Sequence, residues 1–229
     1  MIRENLIDIE AKITAACARS GRKRSEVTLI AVSKTQPVSM IEAALETGII
    51  DFGENKVQEL VDKESELPDY IKWHMIGHLQ RNKVKYIVDK VSLIHSVDSL
   101  ALAREIDKES DKKNIVSNIL IQVNIAGEAT KYGIAMNEVC QLVTNIAALR
   151  NLKINGLMAI PPFVHDPEEN RGYFRQLMKL FIDIKTKNID NVNMSILSMG
   201  MSGDFEVAIE EGATMVRVGT SIFGKRDYS

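Results

Sequence analysis

Along the chain, short apolar runs alternate with segments whose apolar residues recur every three to four positions. The first such segment carries Ile2, Leu6, Ile9, Ile13 and Ala16 on one stripe, the spacing of an amphipathic helix. Residues 27–33 (VTLIAVS) are apolar and β-branched on both faces, which predicts a fully buried strand. Ser39 and Glu42 stand at capping-box spacing and predict a helix that Gly48 ends. The alternation then repeats. Residues 49–53 precede a helix from about Asn55, residues 72–77 one from about Gln80, residues 93–97 one near Asp98, and residues 119–124 one near Asn137. Residues 154–158 lead to Asp166 and Pro167, an N-cap and N1 pair that opens a long helix. Residues 194–199 lead to a helix opened near Ser202 and closed at Gly212, and residues 214–219 precede a short C-terminal piece.

Buried strands that alternate with helices imply a parallel sheet with helical crossovers. Eight strand–helix units predict an α/β fold, a (β/α)₈ TIM barrel with an extra N-terminal helix. An open doubly wound sheet is the alternative, and no G-x-G-x-x-G follows the first strand to favour it. No Pro/Gly-rich seam interrupts the 229 residues, so 1–229 is expected to be a single domain.

Composition narrows the function. Lys plus Arg number 29 and Asp plus Glu 31, a net charge of −2 that argues against a general nucleic-acid binder. No run approaches the roughly 18 apolar residues of a membrane span, and the N-terminus scatters charges where a signal core would lie. The two cysteines, Cys17 and Cys140, are expected as reduced thiols in a cytoplasmic protein. His74 and His78 flank a strand end rather than share a helical face, so no metal site is expected. His95 in an apolar strand reads as a satisfied core or rim histidine.

In a parallel barrel, reactive groups project from the C-terminal ends of the strands. Lys34 follows the first buried strand directly. It is either a lysine reaching solvent at a strand end, or one held at the barrel mouth where desolvation favours the neutral amine for Schiff-base chemistry. The turns after the last two strands, 197–204 (LSMGMSGD) and 217–224 (RVGTSIFG), are small and hydroxylated. Those two loops are the usual phosphate site of this fold. Either alone reads as structural; together, opposite a first-strand lysine, they point to a phosphate-bearing carbonyl ligand.

These residues resemble the pyridoxal phosphate homeostasis protein family, whose barrel is similar to the N-terminal domain of alanine racemase, the type III fold of pyridoxal 5′-phosphate (PLP) proteins. The resemblance rests on Ala31-Val32-Ser33-Lys34-Thr35, on 52–59 (FGENKVQE), 73–83 (WHMIGHLQRNK), Gly156-Leu157-Met158, 197–204 and the run from Val216 to Tyr228. It implies that Lys34 holds PLP as an aldimine and that Ser202, Gly219 and Thr220 cradle the phosphate, with Ser198 and Met199 lining the same wall. Asn55 matches a cofactor-side asparagine, and Arg217 the arginine facing the pyridine nitrogen. His78 receives no catalytic role. Lys131 sits in a K-x-G turn near the mouth, and a solvated lysine is the simpler reading.

An arginine only donates, so opposite the ring nitrogen it leaves that nitrogen unprotonated and weakens the electron sink. The resemblance further implies that alanine racemase takes its second acid/base, a tyrosine, from a C-terminal domain of the partner subunit. None of Tyr70, Tyr86, Tyr132, Tyr173 or Tyr228 stands at a matching position. The expectation is therefore a cytoplasmic PLP-holding homeostasis protein without robust catalysis, monomeric, with apo-forms of PLP-dependent enzymes as candidate recipients. A weak PLP-dependent amino-acid racemase is the alternative. A cofactor-free Schiff-base aldolase is disfavoured, because its lysine lies on a later strand.

Overall fold

In the computed structural model, which describes residues 1–128 and 130–224, the strands run in chain order as β1 (Thr28–Val32), β2 (Asp51–Glu54), β3 (Lys72–Met75), β4 (Leu93–Val97), β5 (Ser117–Asn124), β6 (Ile134–Ala135), β7 (Leu152–Ala159), β8 (Val192–Met201) and β9 (Met215–Val218). All of their pairings are parallel. β1 pairs with both β2 and β9, and β4 pairs with β5, so eight strands close into a ring in which β5 and β7 are neighbours. The two-residue β6 pairs with the last two residues of β5, Val123 and Asn124, and is too short to show in the hydrophobic pattern. The expected TIM barrel is thus the observed one. Tyr228 and the rest of the C-terminal run beyond Gly224 lie outside the described residues.

The helices are α1 (Ile2–Arg19), α2 (Val38–Leu45), α3 (Val57–Glu66), α4 (Leu100–Lys112), α5 (Val139–Ala147), α6 (Arg171–Lys185), α7 (Phe205–Glu210) and α8 (Thr220–Phe223). The extra helix α1 buries the stripe read from the sequence: Ile2, Leu6, Ile9, Ile13 and Ala16. It packs against α2, α7 and α8, and so covers the seam where the first and last strand–helix units meet. Asn5 Nδ2 donates to the Ile222 carbonyl at 2.8 Å, and Arg19 reaches Glu206 and Glu210 across the same seam.

Several helix starts differ from expectation. α2 begins at Val38, after Pro37, and Ser39 lies inside its first turn without a capping bond. Proline has a fixed φ and no N–H to leave unpaired, so it starts the helix before the serine can cap it. The segment after Gln80 is a 3₁₀ turn over Arg81–Tyr86 with only Val84 buried, too little apolar surface to hold an α-helix. Asp166 and Glu169 form a capping box, but on a 3₁₀ turn (Pro167–Asn170) that runs into α6. α7 starts after Asp204, whose Oδ1 accepts from Met201 N at 2.7 Å, so Ser202 lies in the preceding loop and not at a helix end. Among the described residues, no helix is long and apolar enough to cross a membrane.

Two cores result. The larger lies between the ring and the helices; the smaller, inside the ring, is Leu93, Leu120 and Met158 with half-buried Ile196 and Met215. Side chains alternate along a strand, so the residues two positions after Leu93, Ile196 and Met215 also face inward. They are His95, Ser198 and Arg217, and all three are buried. One layer of the interior is therefore apolar and the next, toward the C-terminal mouth, polar.

The register of β7 against β8 shifts between Ile154 and Gly156, and there the strands come into backbone contact. A Cβ on Gly156 would stand 1.7 Å from the Ile196 carbonyl oxygen. Gly156→Ala is expected to destabilise the fold by more than about 4 kcal/mol, the range of severe backbone clashes, as read from urea unfolding.

Candidate active site at the barrel mouth

Lys34 lies at the C-terminal end of β1, two residues past the strand, and is half-buried. The chain on both sides of it is tied down. The Lys63 ammonium, itself buried, donates to the Ser33 carbonyl at 2.7 Å, to Glu54 Oε1 at 2.8 Å and to Glu59 Oε1 at 2.8 Å. These three acceptors match its three protons. Glu59 Oε1 also accepts from the Thr35 main-chain N–H, and the Ser33 hydroxyl donates to Glu54 Oε1 at 2.6 Å. Thr35 sits at φ +64°, a left-handed conformation that a β-branched residue adopts only when its surroundings impose it. The Lys63–Glu59 clamp is that imposition.

Glu54 is fully buried, and burial raises its carboxyl above the ordinary value against the opposing pull of Lys63 and Ser33. Its second oxygen, Oε2, is buried without a hydrogen-bond partner, as is Asn55 Oδ1 next to it. Gly77 fixes Asn55 by close approach, since a Cβ there would stand 2.3 Å from the Asn55 carbonyl oxygen. Asn55 and His78 line one cleft with Lys56 and Lys83.

On the side of β1 away from β2, the loops after β8 and β9 meet. Gly219 N donates to Ser202 Oγ at 3.2 Å, which ties the two turns together, and Thr220 follows, exposed, as the first residue of α8. Gly219 packs against β1, with Val32 Cβ and O both 3.2 Å from where a Cβ would be. The two turns and the end of β1 are therefore one continuous rim.

Ser198 and Arg217 lie beneath this rim. Arg217 Nη1 donates to Ser198 Oγ at 2.5 Å, and Nη2 to the Ala159 carbonyl at 2.9 Å. Burial lowers the Arg217 guanidinium to about 10, a shift that the Asp204 charge opposes, so it stays a cation at neutral pH. Met199 does not join Ser198: one residue on, its side chain faces the other way into the core between ring and helices. Any part it takes at the mouth is through its main chain.

Two groupings escaped the sequence. The Lys63–Glu54–Glu59 cluster is one; its i, i+4 spacing on α3 was visible, but ordinary for a surface helix. The other is the His78 ring stacked on Tyr132, centroids 3.9 Å apart and 13° from parallel, which joins loops distant in sequence. Lys131 beside it pairs with Glu128 at 2.9 Å and donates to the Pro161 carbonyl at 3.4 Å. Cys17 is buried, Cys140 half-buried, and both are free thiols. No cluster of three metal-ligating side chains exists among the described residues.

Comparison with known proteins agrees with this geometry. The family model of the alanine racemase N-terminal domain matches residues 5–227. The pyridoxal phosphate homeostasis protein of Aquifex aeolicus is 46% identical over 98% of this chain and 98% of its own. The structure of PipY from Synechococcus elongatus with PLP bound superposes with a TM-score of 0.84 at 34% identity, covering 98% of this chain and all of that one (100%). Alanine racemase of Clostridium difficile shares the fold alone: TM-score 0.74 at 14% identity, this chain matching 57% of its length.

Lys63→Met leaves the buried Glu54 without its cation and is expected to cost about 3–5 kcal/mol in urea unfolding; adding Glu54→Gln should restore much of the loss. The fully buried His95 is held neutral by burial, then by repulsion from His74 and Arg217, well below the ordinary 6.5. The unfolded chain takes up a proton there that the fold refuses, so stability falls as pH drops below about 6.5, by up to about 1.4 kcal/mol per pH unit. His95→Gln should flatten that part of the pH–stability curve.

Proposed function

The chain belongs to the alanine racemase N-terminal domain family and, within it, to the pyridoxal phosphate homeostasis proteins, and from that premise we propose that it holds PLP reversibly through Lys34. The bond is a Schiff base: the Lys34 amine adds to the aldehyde carbon, and water leaves. PLP supplies, when bound, an electrophilic aldehyde and a pyridine ring able to accept electrons. The observation that carries this reading is a first-strand lysine, its flanking residues clamped, on a rim continuous with the turns of Ser202, Gly219 and Thr220.

Each group then has a task. The Ser202 and Thr220 hydroxyls are donors suited to a phosphate dianion, with Ser202 Oγ held in place by the Gly219 N–H, outside the dry interior where such a charge would be costly. Asn55 Oδ1 is a buried acceptor that lacks a donor, and a ligand hydroxyl is the kind of group it fits. Arg217 donates toward the ring nitrogen and cannot deliver a proton to it at neutral pH, which weakens carbanion chemistry. That pairing favours holding the cofactor, or at most a reaction of modest carbanion demand. A cytoplasmic monomer, with apo-enzymes as recipients of the released PLP, belongs to the same proposal.

The purified protein incubated with PLP should show an absorption band that borohydride bleaches, with the reduced label recovered on the peptide containing Lys34. Lys34→Ala should lose it; a normal band in that variant, or a label elsewhere, would refute the assignment. Chiral analysis after incubation with L-alanine should show no enantiomer formation, and turnover dependent on Lys34 would make the protein a racemase instead.

A further inference from the structure

A chain of hydrogen bonds crosses the barrel interior from its floor to Arg217, and both of its ends are chemically one-way. Asp51, the first residue of β2, lines a cleft on the floor with Arg3, Arg24 and Thr28 and is partly open to solvent. Its Oδ1 lies 3.0 Å from His74 Nε2; His74 Nδ1 lies 3.0 Å from His95 Nε2; His95 Nδ1 lies 3.0 Å from Ser198 Oγ. Ser198 Oγ takes the Arg217 Nη1 bond at 2.5 Å. The four links join β2, β3, β4, β8 and β9, more than half of the ring.

The ends set the direction of every bond. A carboxylate only accepts, so His74 carries a proton on Nε2, and in the neutral ring its Nδ1 is then an acceptor. His95 Nε2 therefore donates to His74, and His95 Nδ1 accepts the Ser198 hydroxyl proton. The Ser198 oxygen is left with lone pairs alone for Arg217, which can only donate. From the other end, Arg217 only donates, which leaves the Ser198 proton for His95 Nδ1 and the His95 proton for His74 Nδ1. The reverse polarity would turn the Ser198 hydroxyl proton away from its one imidazole acceptor. Both rings are neutral in this arrangement, as burial demands of His95.

We propose that Asp51, His74, His95 and Ser198 are positioning residues for Arg217: the relay holds its guanidinium as a fixed donor under the mouth, so that the group it meets there stays unprotonated. The proposal rests on the PLP reading only in naming that group as the pyridine nitrogen; the relay itself does not depend on it. Besides Ser198 and the Ala159 carbonyl, the groups acting on Arg217 are the Asp204 carboxylate and the neutral His95. Without the relay, Arg217 is free to turn toward Asp204, and the nitrogen loses its donor.

Two measurements test this. In cofactor-free protein at about pH 7.5, ¹⁵N–¹H correlation of the imidazoles should find His74 and His95 both protonated on Nε2 only. An Nδ1–H tautomer or an imidazolium at either ring would overturn the relay. In PLP-loaded protein, Ser198→Ala and His95→Phe should shift the cofactor absorption band and give it a pH titration that the parent lacks. Leu120→Met, a volume-conserving change in the interior apolar cluster, should leave both unchanged. A parent-like spectrum and titration in both Ser198→Ala and His95→Phe would overturn the proposal, as would an equal shift in Leu120→Met. Absence of any PLP band in the parent would instead refute the proposed function, while the imidazole measurement still decides the relay; it requires no variant to fold.

Discussion

A ring of parallel strands closed on itself admits little water to its interior, and every polar side chain that alternation turns inward must find its partners there. In this protein the layer two residues above the apolar cluster is His95, Ser198 and Arg217, all buried. An unpaired group at any of these positions would cost a large share of the stability of a domain. The strands must therefore hold the register that makes Asp51, His74, His95, Ser198 and Arg217 consecutive partners. The same register sets the height at which Lys34, Ser202 and Gly219 emerge on the rim.

The rim has its own source of rigidity. A lysine at a strand end is ordinarily a mobile, solvated side chain. Here one buried ammonium, that of Lys63, satisfies all three of its protons on acceptors that lie on either side of Lys34 in space or sequence. The arrangement tolerates Thr35 at φ +64°, a cost of about 1–3 kcal/mol that persists only because the neighbouring contacts outweigh it. Strain of this kind, next to a candidate nucleophile, is what separates a prepared amine from a surface lysine.

The charge pattern around the two halves of the site differs in kind. Around Lys34, Glu54 and Glu59 face one cation, Lys63, and a buried carboxylate oxygen is left over. Around Arg217 the bonded partners are neutral, and the carboxylate at the end of its chain is three side chains away. One wall of the mouth thus places two carboxyl groups and the ammonium they share beside Lys34, the other a buried guanidinium near the place proposed for a ring nitrogen. That division suits a group bound covalently at one end and met by a donor at the other.

Hydrophobic periodicity determined the order of the eight ring strands, the buried stripe of α1, and the positions of Lys34, Ser202, Gly219 and Thr220 at strand ends, because each depends on contacts within a few residues. Local capping signals misplaced the starts of α2 and α7, where Pro37 and Asp204 outcompeted the serines nearby. What only the tertiary structure decided was pairing across the ring. Lys63 on α3, His74 on β3 and the Tyr132 loop carry no local mark of their partners at Glu54, His95 and His78. Met199, adjacent to Ser198, was turned to the opposite face by a period of two that places neighbours in different cores. Sequence spacing reports what a residue does along its own element; closing the ring brings together side chains a hundred residues apart, and no spacing encodes that.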